Sequence, residues 1–180
     1  MSKTVHFQGQ PVTLIGQPLE LGALAPDFTL TNSELAEVTL ASYAGKRKVL
    51  SLFPSVDTPV CASAARAFNQ LANTVENTVI LCISADLPFA QARFCAGSGL
   101  ENVVMLSSFR HGEFGANYGA AIESKPLNGL LTRAVIVLDE HNTVIAEQWL
   151  DEITHEPNYT QVIHALTSPV IKVTHSGDVA

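Results

Sequence analysis

The stretch KVLSLFPSVDTPVCASAARAFNQLANTV, residues 48–75, decides the fold of this chain. Residues 48–53 form an apolar run of strand length, and residues 62–75 show the three- and four-residue spacing of an amphipathic helix. The apolar stripe of that helix consists of Ala64, Ala65, Phe68, Leu71, Ala72 and Val75. Because a helix with one apolar side packs onto a sheet, the stretch predicts a strand, a loop and a helix of a layered α/β fold.

The same alternation of strands and helices continues along the chain. The sequence predicts strands at residues 79–84 and 103–106 and a helix at residues 89–96. Residues 134–138 and 143–149 flank a polar turn, which predicts an antiparallel hairpin at the end of the sheet. We therefore expect a central mixed sheet flanked by helices.

The two ends of the chain carry smaller elements. Residues 1–16 hold two short apolar stretches around Gly9 and predict an N-terminal β-hairpin. A last amphipathic helix ends at Pro169 and presents Tyr159, Val162, Ile163 and Leu166. No repeat, linker or charge block divides the 180 residues, so we expect residues 1–180 to form a single domain.

The composition restricts the functions open to the chain. Its 10 Lys+Arg against 17 Asp+Glu give a formal net charge of −7, which cannot supply the basic surface that nucleic acids require. No apolar run approaches the ~18 to 20 residues of a membrane span, and residues 1–16 lack the features of a secretory signal. With an odd count of three cysteines, we expect a cytoplasmic protein without a nucleic acid or membrane partner.

The loop at residues 53–61 is the strongest candidate for a functional site, because it follows a strand end, where α/β folds place their sites. Asp57 or Thr58 is a suitable N-cap and Pro59 a suitable first helical residue, so Cys61 falls in the first turn of the helix. Unpaired N–H groups and the positive end of the helix dipole favour the reactive thiolate there. The alternative is a small, buried, inert cysteine, but the position of Cys61 favours the functional interpretation.

Four further residues bear on this site. The Thr58 hydroxyl can cap the helix, hydrogen-bond the thiolate, or do both, whereas Pro54 and Pro59 make the loop rigid. Arg133 is the only charge in residues 129–138 before the polar turn, and a guanidinium there is costly unless it faces an anion or a polar cavity. A thiolate site supplies such a partner. The alternative is an edge-strand arginine that reaches solvent.

At these positions the chain resembles a known family. Pro54, Thr58 and Cys61 have the spacing of the peroxidatic loop of peroxiredoxins, which is Pro, three residues, Thr or Ser, two residues, Cys. The loop sequence Ser-Val-Asp-Thr-Pro-Val-Cys, the N-terminal hairpin and a second cysteine, Cys95, are similar to the bacterial thiol peroxidase branch, the atypical two-cysteine peroxiredoxins. Arg133 also follows the loop and Cys95 in the order, and lies in the secondary-structure element, that the resemblance implies.

The resemblance implies a thioredoxin-like fold and a thiol-dependent peroxidase that reduces hydrogen peroxide and organic hydroperoxides. It implies that Cys61 is the peroxidatic residue, that Cys95 resolves its sulfenic acid as an intramolecular disulfide, and that thioredoxin recycles the enzyme. Pro54, Thr58 and Arg133 would bind the hydroperoxide, with Arg133 polarising the thiolate and the peroxide oxygens. A homodimer and the absence of any cofactor are also expected.

The other two cysteines lie in different surroundings. Cys95 closes the helix at residues 89–96, which Gly97 and Gly99 end. Because a disulfide needs Cα atoms roughly 4.4 to 6.8 Å apart, a bond from Cys61 to Cys95 requires local unfolding, which the glycines make less costly. Cys82 lies within an apolar strand, so we expect its thiol to be neutral and inert.

The remaining sequence indicates no other chemistry. Its six histidines are scattered without metal-ligand spacing, so no metal is expected. Two rival functions remain open: a peroxide-sensing redox relay or holdase module that uses the same cysteine switch, and a structural adaptor with inert thiols. Phe109, Phe114 and Tyr118 fit core packing best, with an apolar substrate wall or a dimer face as alternatives.

Overall fold

The centre of the molecule is a seven-stranded mixed sheet, as shown by a computed structural model that describes residues 2–168. The strands, in chain order, are β1 (Thr4–Phe7), β2 (Gln10–Ile15), β3 (Leu30–Asn32), β4 (Glu37–Val38), β5 (Arg47–Leu52), β6 (Thr78–Ser84), β7 (Val104–Ser107), β8 (Ala121–Ile122), β9 (Ala134–Leu138) and β10 (Val144–Trp149). The helices are α1 (Pro59–Leu71), α2 (Pro88–Ser98), α3 (Glu113–Asn117) and α4 (Tyr159–Thr167), with short 3₁₀ turns at Leu40–Tyr43 and Ala72–Thr74.

The strand order of the central sheet is β10-β9-β5-β6-β7-β3-β4. β5 pairs in parallel with β6, and β6 with β7, whereas all other pairs in this sheet are antiparallel. Parallel neighbours need a crossover connection, which α1 and α2 provide. The predicted mixed sheet flanked by helices is confirmed, and the hairpin of β9 and β10 forms one edge as expected.

The central strands are apolar along their length because both faces of the sheet are covered. Alternate residues of β5 enter different cores. Val49 packs in a cluster with Phe68 of α1 and Val162 of α4, whereas Leu50 packs in a second cluster with Phe114 of α3. The sheet is therefore held rigidly between two apolar layers, and the loops at its edges are built on a fixed support.

The N-terminal β-hairpin is present as predicted, and it contacts two segments far along the chain, β8 and residues 151–153. β1 and β2 pair with each other, and β2 pairs with β8. The N–H of His6 donates to the carbonyl oxygen of Asp151 over 2.7 Å, and the N–H of Ile153 donates to the carbonyl oxygen of His6 over 2.8 Å. The hairpin thus forms part of the main body beside residues 151–153.

Several helix boundaries differ from the predicted ones. α1 begins at Pro59, three residues before the periodic stretch at residues 62–75 but at the proline predicted for the first helical position. α2 continues through Gly97 to Ser98, so only Gly99, at φ +64, ends that helix. The predicted end of the last helix at Pro169 lies outside the described residues. Within residues 2–168, no helix is long and apolar enough to cross a membrane.

The aromatic residues Phe109, Phe114 and Tyr118 lie in different surroundings. Phe114 and Tyr118 are buried and stack at a centroid distance of 4.6 Å, which confirms core packing for these two. Phe109 is 66% exposed, so core packing is wrong for this residue. Ile163 is also exposed, on the outer side of α4, whereas Val162 and Leu166 point into the core.

Cys82 provides a test of the core. It is fully buried in the cluster that also contains Val49 and Phe68. We expect Cys82→Ser to lower the free energy of unfolding by about 1–3 kcal/mol, because it places a hydroxyl in an apolar environment. Urea denaturation measures this loss, with Cys82→Ala as the control that removes the thiol without adding a hydroxyl. A serine variant as stable as the wild type would contradict the assignment of Cys82 to the core.

Candidate active site

Cys61 lies where the loop after β5 enters α1. It is the third residue of the helix and 1% exposed, which confirms its predicted place in the first turn. Thr58 is the N-cap by backbone conformation, and Pro59 is the first helical residue. The sulfur therefore lies beside N–H groups that have no partner within the helix, at the end of the helix that favours negative charge.

The Thr58 hydroxyl makes neither of its two predicted contacts, the helix cap or the hydrogen bond to the Cys61 sulfur. It donates to the carbonyl oxygen of Ser55 over 3.0 Å, and no side-chain capping bond is formed. The N–H of Thr58 also donates to the carbonyl oxygen of Ser55, over 3.3 Å. Thr58 thus closes a tight turn with Ser55, and its oxygen keeps free lone pairs that can accept a further hydrogen bond.

Arg133 contacts the sulfur of Cys61. Its side chain is 3% exposed, and Nη2 donates to Cys61 Sγ over 3.0 Å while Nε donates to the carbonyl oxygen of Ile153 over 2.7 Å. The sheet explains the contact: Ala134 pairs with Leu52, so the residue before β9 lies next to the loop that follows β5. The alternative of a solvent-exposed arginine is wrong, because the guanidinium faces the thiol site as expected.

An apolar cavity of about 220 Å³ lies beside Arg133, the residue that contacts the Cys61 sulfur. Pro54, Thr58 and Arg133 all line it, so the structure brings these candidates together. The rest of its wall is largely apolar and comes from three separate segments: Phe7 of β1, Leu127 and Leu130 before β9, and Ile153. A water molecule occupies about 30 Å³ in the liquid, so the cavity has room for hydrogen peroxide and for a small organic chain.

Glu152 fixes the hairpin as one wall of this cavity. Its carboxylate accepts the N–H groups of Gln8 and Gly9, each over 3.0 Å, and the Thr154 hydroxyl over 2.8 Å. The N–H of Gly9 has the largest effect, and together with the bonds from Thr154 and Gln8 it lowers the pKa of Glu152 to about 2. Glu152 is therefore ionised at neutral pH and holds the hairpin turn in place.

Asp86 fixes the other side of the loop. Its carboxylate accepts the Ser55 hydroxyl over 2.8 Å, the N–H of Val56 over 2.9 Å and the Ser84 hydroxyl over 2.6 Å. Ser84 is the last residue of β6, the parallel neighbour of β5. The carboxyl ends of parallel strands meet at one edge, so Asp86 lies next to the loop that carries Cys61.

The structure does not bring Cys95 into this site. All three cysteines are free thiols, and Cys95 lines a different cavity, together with Leu100 and Val104. Burial raises the pKa of the Cys95 thiol. Burial, and to a smaller extent the neighbouring Cys95, raises the pKa of Cys82 to about 12, so both thiols are neutral at pH 7.

Asp86, Glu152 and Ile153 are site residues that were not predicted from the sequence. Asp86 could have been found, because an acidic residue just after a strand that neighbours the site-bearing strand is a candidate at the same sheet edge. Glu152 and Ile153 could not, because no local pattern records their contacts: Glu152 meets residues 143 and 144 positions away, and Ile153 meets Arg133, which is 20 positions away. Among residues 2–168, no group of three or more His, Cys, Asp or Glu is placed to hold a metal ion.

Comparison with known proteins identifies the family. Residues 20–163 match the family model described as Redoxin. The chain is 48% identical over 166 residues to the thiol peroxidase of Corynebacterium glutamicum, covering 92% of this chain and 99% of that protein. This chain belongs to the redoxin family, in its thiol peroxidase branch. It is also 48% identical over 162 residues to the thiol peroxidase of Streptococcus sanguinis, covering 90% of this chain and 98% of that protein.

The solved structures agree with this family membership. The crystal structure of a peroxiredoxin-like protein from Aquifex aeolicus superposes with a TM-score of 0.86 at 36% identity, covering 92% of this chain and 96% of that one. The predicted thioredoxin-like fold of peroxiredoxins is confirmed. The relatives also confirm the predicted class of enzyme, a thiol peroxidase that acts on peroxides.

The contact between Arg133 and Cys61 yields a testable prediction. We expect Arg133→Met to slow the alkylation of Cys61 by iodoacetamide at neutral pH about tenfold, because a charge-assisted hydrogen bond that favours the thiolate is removed. Peptide mass spectrometry over time measures the rate at Cys61 alone. Arg66→Met, which removes an exposed cation from α1, the helix that carries Cys61, is the control. An unchanged rate in Arg133→Met would show that the guanidinium does not activate the sulfur.

Proposed function

We propose that the protein reduces hydrogen peroxide and organic hydroperoxides with the Cys61 thiolate as the nucleophile. The observation that carries the proposal is the 3.0 Å contact between Arg133 Nη2 and Cys61 Sγ in a buried helix N-terminus. The sulfur attacks the terminal oxygen of ROOH, and the O–O bond breaks. Cys61 becomes a sulfenic acid, and RO⁻ takes a proton from solvent and leaves as the alcohol.

The surroundings of Cys61 support a role for three residues in binding the hydroperoxide. Arg133 places positive charge where negative charge develops on the leaving oxygen, the kind of stabilisation that dominates many reactions. The Thr58 oxygen, held by Ser55, can accept the proton-bearing end of the peroxide. Pro54 has no N–H and is buried in the cavity wall, so it excludes water beside the sulfur without offering a competing donor.

The apolar cavity supports organic hydroperoxides as substrates in addition to hydrogen peroxide. Phe7, Leu127 and Leu130 offer apolar surface in the wall of the cavity that Arg133 also lines. An alkyl chain placed there leaves water, which is favourable by about 25 cal/mol per Å² of apolar surface. Hydrogen peroxide gains nothing from this wall, so the cavity favours larger substrates.

The second half of the proposed reaction uses Cys95. Its thiol attacks the sulfenic sulfur of Cys61, water leaves, and a disulfide forms within the chain. Cys95 lies in the last turn of α2, with Gly97 inside that turn and Gly99 at its end, so this turn can open at modest cost. Thioredoxin, an external dithiol protein, then restores both thiols by exchange through a mixed disulfide. No bound cofactor takes part in this cycle.

A peroxide pulse tests the roles of the cysteines. We expect one equivalent of peroxide to convert the wild type to a form that has lost two hydrogens, with Cys61 linked to Cys95 in the peptide map. Cys95→Ser consumes about one equivalent and then stops as a sulfenic or more oxidised acid, and Cys61→Ser consumes none. Cys82→Ser is the matched control and should turn over with thioredoxin near the wild-type rate.

The contrary outcomes of this pulse experiment are distinct. A disulfide from Cys61 to Cys82 would remove the resolving role of Cys95. A wild type that forms the disulfide but does not turn over with thioredoxin would favour the redox relay or holdase module. Residual peroxide consumption by Cys61→Ser within tenfold of the wild type would overturn the proposed nucleophile.

We also propose that the protein is a cytoplasmic homodimer. Four large apolar side chains are exposed around one surface groove: Leu35, Leu87, Phe89 and Phe109. Phe89 and Phe109 are 67% and 66% exposed, and contiguous apolar patches of this kind mark contact surfaces. A second copy of the chain is the proposed occupant, with this patch replacing the buried Phe114 and Tyr118 as the dimer face. Three free cysteines suit a reducing compartment.

Sedimentation at micromolar concentration tests the dimer. We expect a mass of twice the chain mass of 19.2 kDa, and we expect the double variant Phe89→Glu and Phe109→Glu to sediment as the single chain, because it buries charge in an apolar contact. Leu24→Glu, at an exposed apolar residue outside the patch, is the control and should remain dimeric. A single-chain mass for the wild type at every accessible concentration would exclude the dimer.

A further inference from the structure

We propose that Asp86 is a positioning residue that holds the loop of Cys61 closed and so decides whether the oxidised sulfur is resolved or oxidised further. This inference deepens the proposed function and rests on it, because it concerns the step from the Cys61 sulfenic acid to the disulfide. The geometry behind it is a continuous polar connection between the two elements that carry Cys61 and Cys95.

The first part of this connection joins Asp86 to the loop. One carboxylate oxygen accepts the Ser55 hydroxyl and the other accepts the N–H of Val56, over 2.8 and 2.9 Å. Ser55 in turn accepts the N–H of Asp57 and, through its carbonyl oxygen, the hydroxyl of Thr58. The whole turn before α1 therefore depends on one carboxylate, and hydrogen bonds to an ionised acceptor are stronger than neutral ones.

The second part joins Asp86 to the helix that carries Cys95. The Ser84 hydroxyl donates to Asp86 over 2.6 Å and accepts Nε2 of Gln91 over 3.0 Å. Gln91 is fully buried in α2, and its Nε2 also donates to the carbonyl oxygen of Leu106 in β7 over 2.9 Å. Cys95 lies one helical turn after Gln91. The same network thus fastens the start of α2 to the sheet and to the loop of Cys61.

The two chemical steps need opposite states of this loop. Reaction with the peroxide needs the closed loop, in which Cys61 contacts Arg133. Disulfide formation needs Cys61, which is 1% exposed, to leave its place and meet Cys95, which lines a different cavity. The bonds of Asp86 favour the closed state, so they favour the first step and slow the second.

A closed loop also prolongs the life of the sulfenic acid. While Cys61 remains in the site, a second hydroperoxide can transfer its terminal oxygen to the sulfenate, which gives the sulfinic acid and a second molecule of alcohol. The same hydroperoxide that serves as substrate supplies this oxidant. Loss of the Asp86 bonds should therefore protect Cys61 from overoxidation while weakening its reaction with the first peroxide.

The test uses rapid mixing of the reduced full-length protein with hydrogen peroxide, acid quenching and mass spectrometry of Cys61. We expect Asp86→Ala to slow the formation of the sulfenic acid about tenfold and to accelerate the formation of the disulfide. The peroxide dose at which half of the Cys61 residues become sulfinic acid should rise about tenfold. Ser55→Ala, which removes one of the bonds, should shift all three quantities in the same directions by less. Asp86→Asn, which keeps an acceptor for Val56, should recover part of the wild-type behaviour.

A control separates this role from general loss of structure. Asp139 accepts the N–H groups of His141 and Thr143 in the turn between β9 and β10, at the other end of β9 from Arg133. Asp139→Ala removes a comparable carboxylate from a turn and should change none of the three quantities. If Asp86→Ala slows both steps together, or leaves the dose for sulfinic acid unchanged, the proposed role is overturned.

A measurement on the reduced protein distinguishes failure of this inference from failure of the proposed function. Hydrogen exchange of the amides at residues 55–61 reports the opening of the loop without any oxidation. We expect faster exchange there in Asp86→Ala than in Asp139→Ala, and equal rates would overturn the inference. If the wild type forms no disulfide from Cys61 to Cys95, the proposed function fails at its second step, whereas the exchange result still stands for Asp86.

Discussion

The contact between the Arg133 guanidinium and the Cys61 sulfur constrains much of this structure, because a buried cation is costly unless it meets an anion and its other donors are satisfied. Arg133 is 3% exposed, and it meets Cys61 Sγ and the carbonyl oxygen of Ile153. Keeping these two partners in place requires the loop after β5, the first turn of α1 and the segment around Ile153 to hold fixed positions. The hairpin secures that segment in two ways: the backbone of its His6 bonds to Asp151 and Ile153, and the N–H groups of its turn donate to the Glu152 carboxylate.

The cavity beside Arg133 therefore has a rigid wall on one side and a movable loop on the other. The hairpin, whose turn Glu152 holds, forms a fixed wall on one side of the cavity, where nothing in the proposed reaction needs to move. On the other side, Asp86 holds a loop that opens in the proposed second step. In the proposed mechanism, the balance between reaction with peroxide and formation of the disulfide is set on the Asp86 side, by hydrogen bonds and not by the apolar core.

The sequence predicted what depends on local pattern and on the chemistry of single residues. Apolar spacing identified α1 and the longer strands of the central sheet but not the short strands β3, β4 and β8. The cost of a charge within an apolar run identified Arg133. It could not predict the partner of the Thr58 hydroxyl, because Ser55, the helix and the sulfur all lie within reach. It also could not distinguish exposed Phe109 from buried Phe114. The short segment between them has no clear periodicity of apolar residues, so their burial depends on tertiary packing.

The proposed chemistry begins at the Cys61 sulfur, which we expect the hydroperoxide to oxidise first, because Cys61 alone of the three thiols contacts a cation at a helix N-terminus. Trapping with dimedone, a reagent specific for sulfenic acids, tests this most directly. The wild type is mixed with one equivalent of hydroperoxide together with dimedone, and each cysteine peptide is quantified over time. We expect a dimedone adduct on Cys61 that appears first and none on Cys82 or Cys95. An adduct that appears first on Cys95 or Cys82 would contradict this expectation.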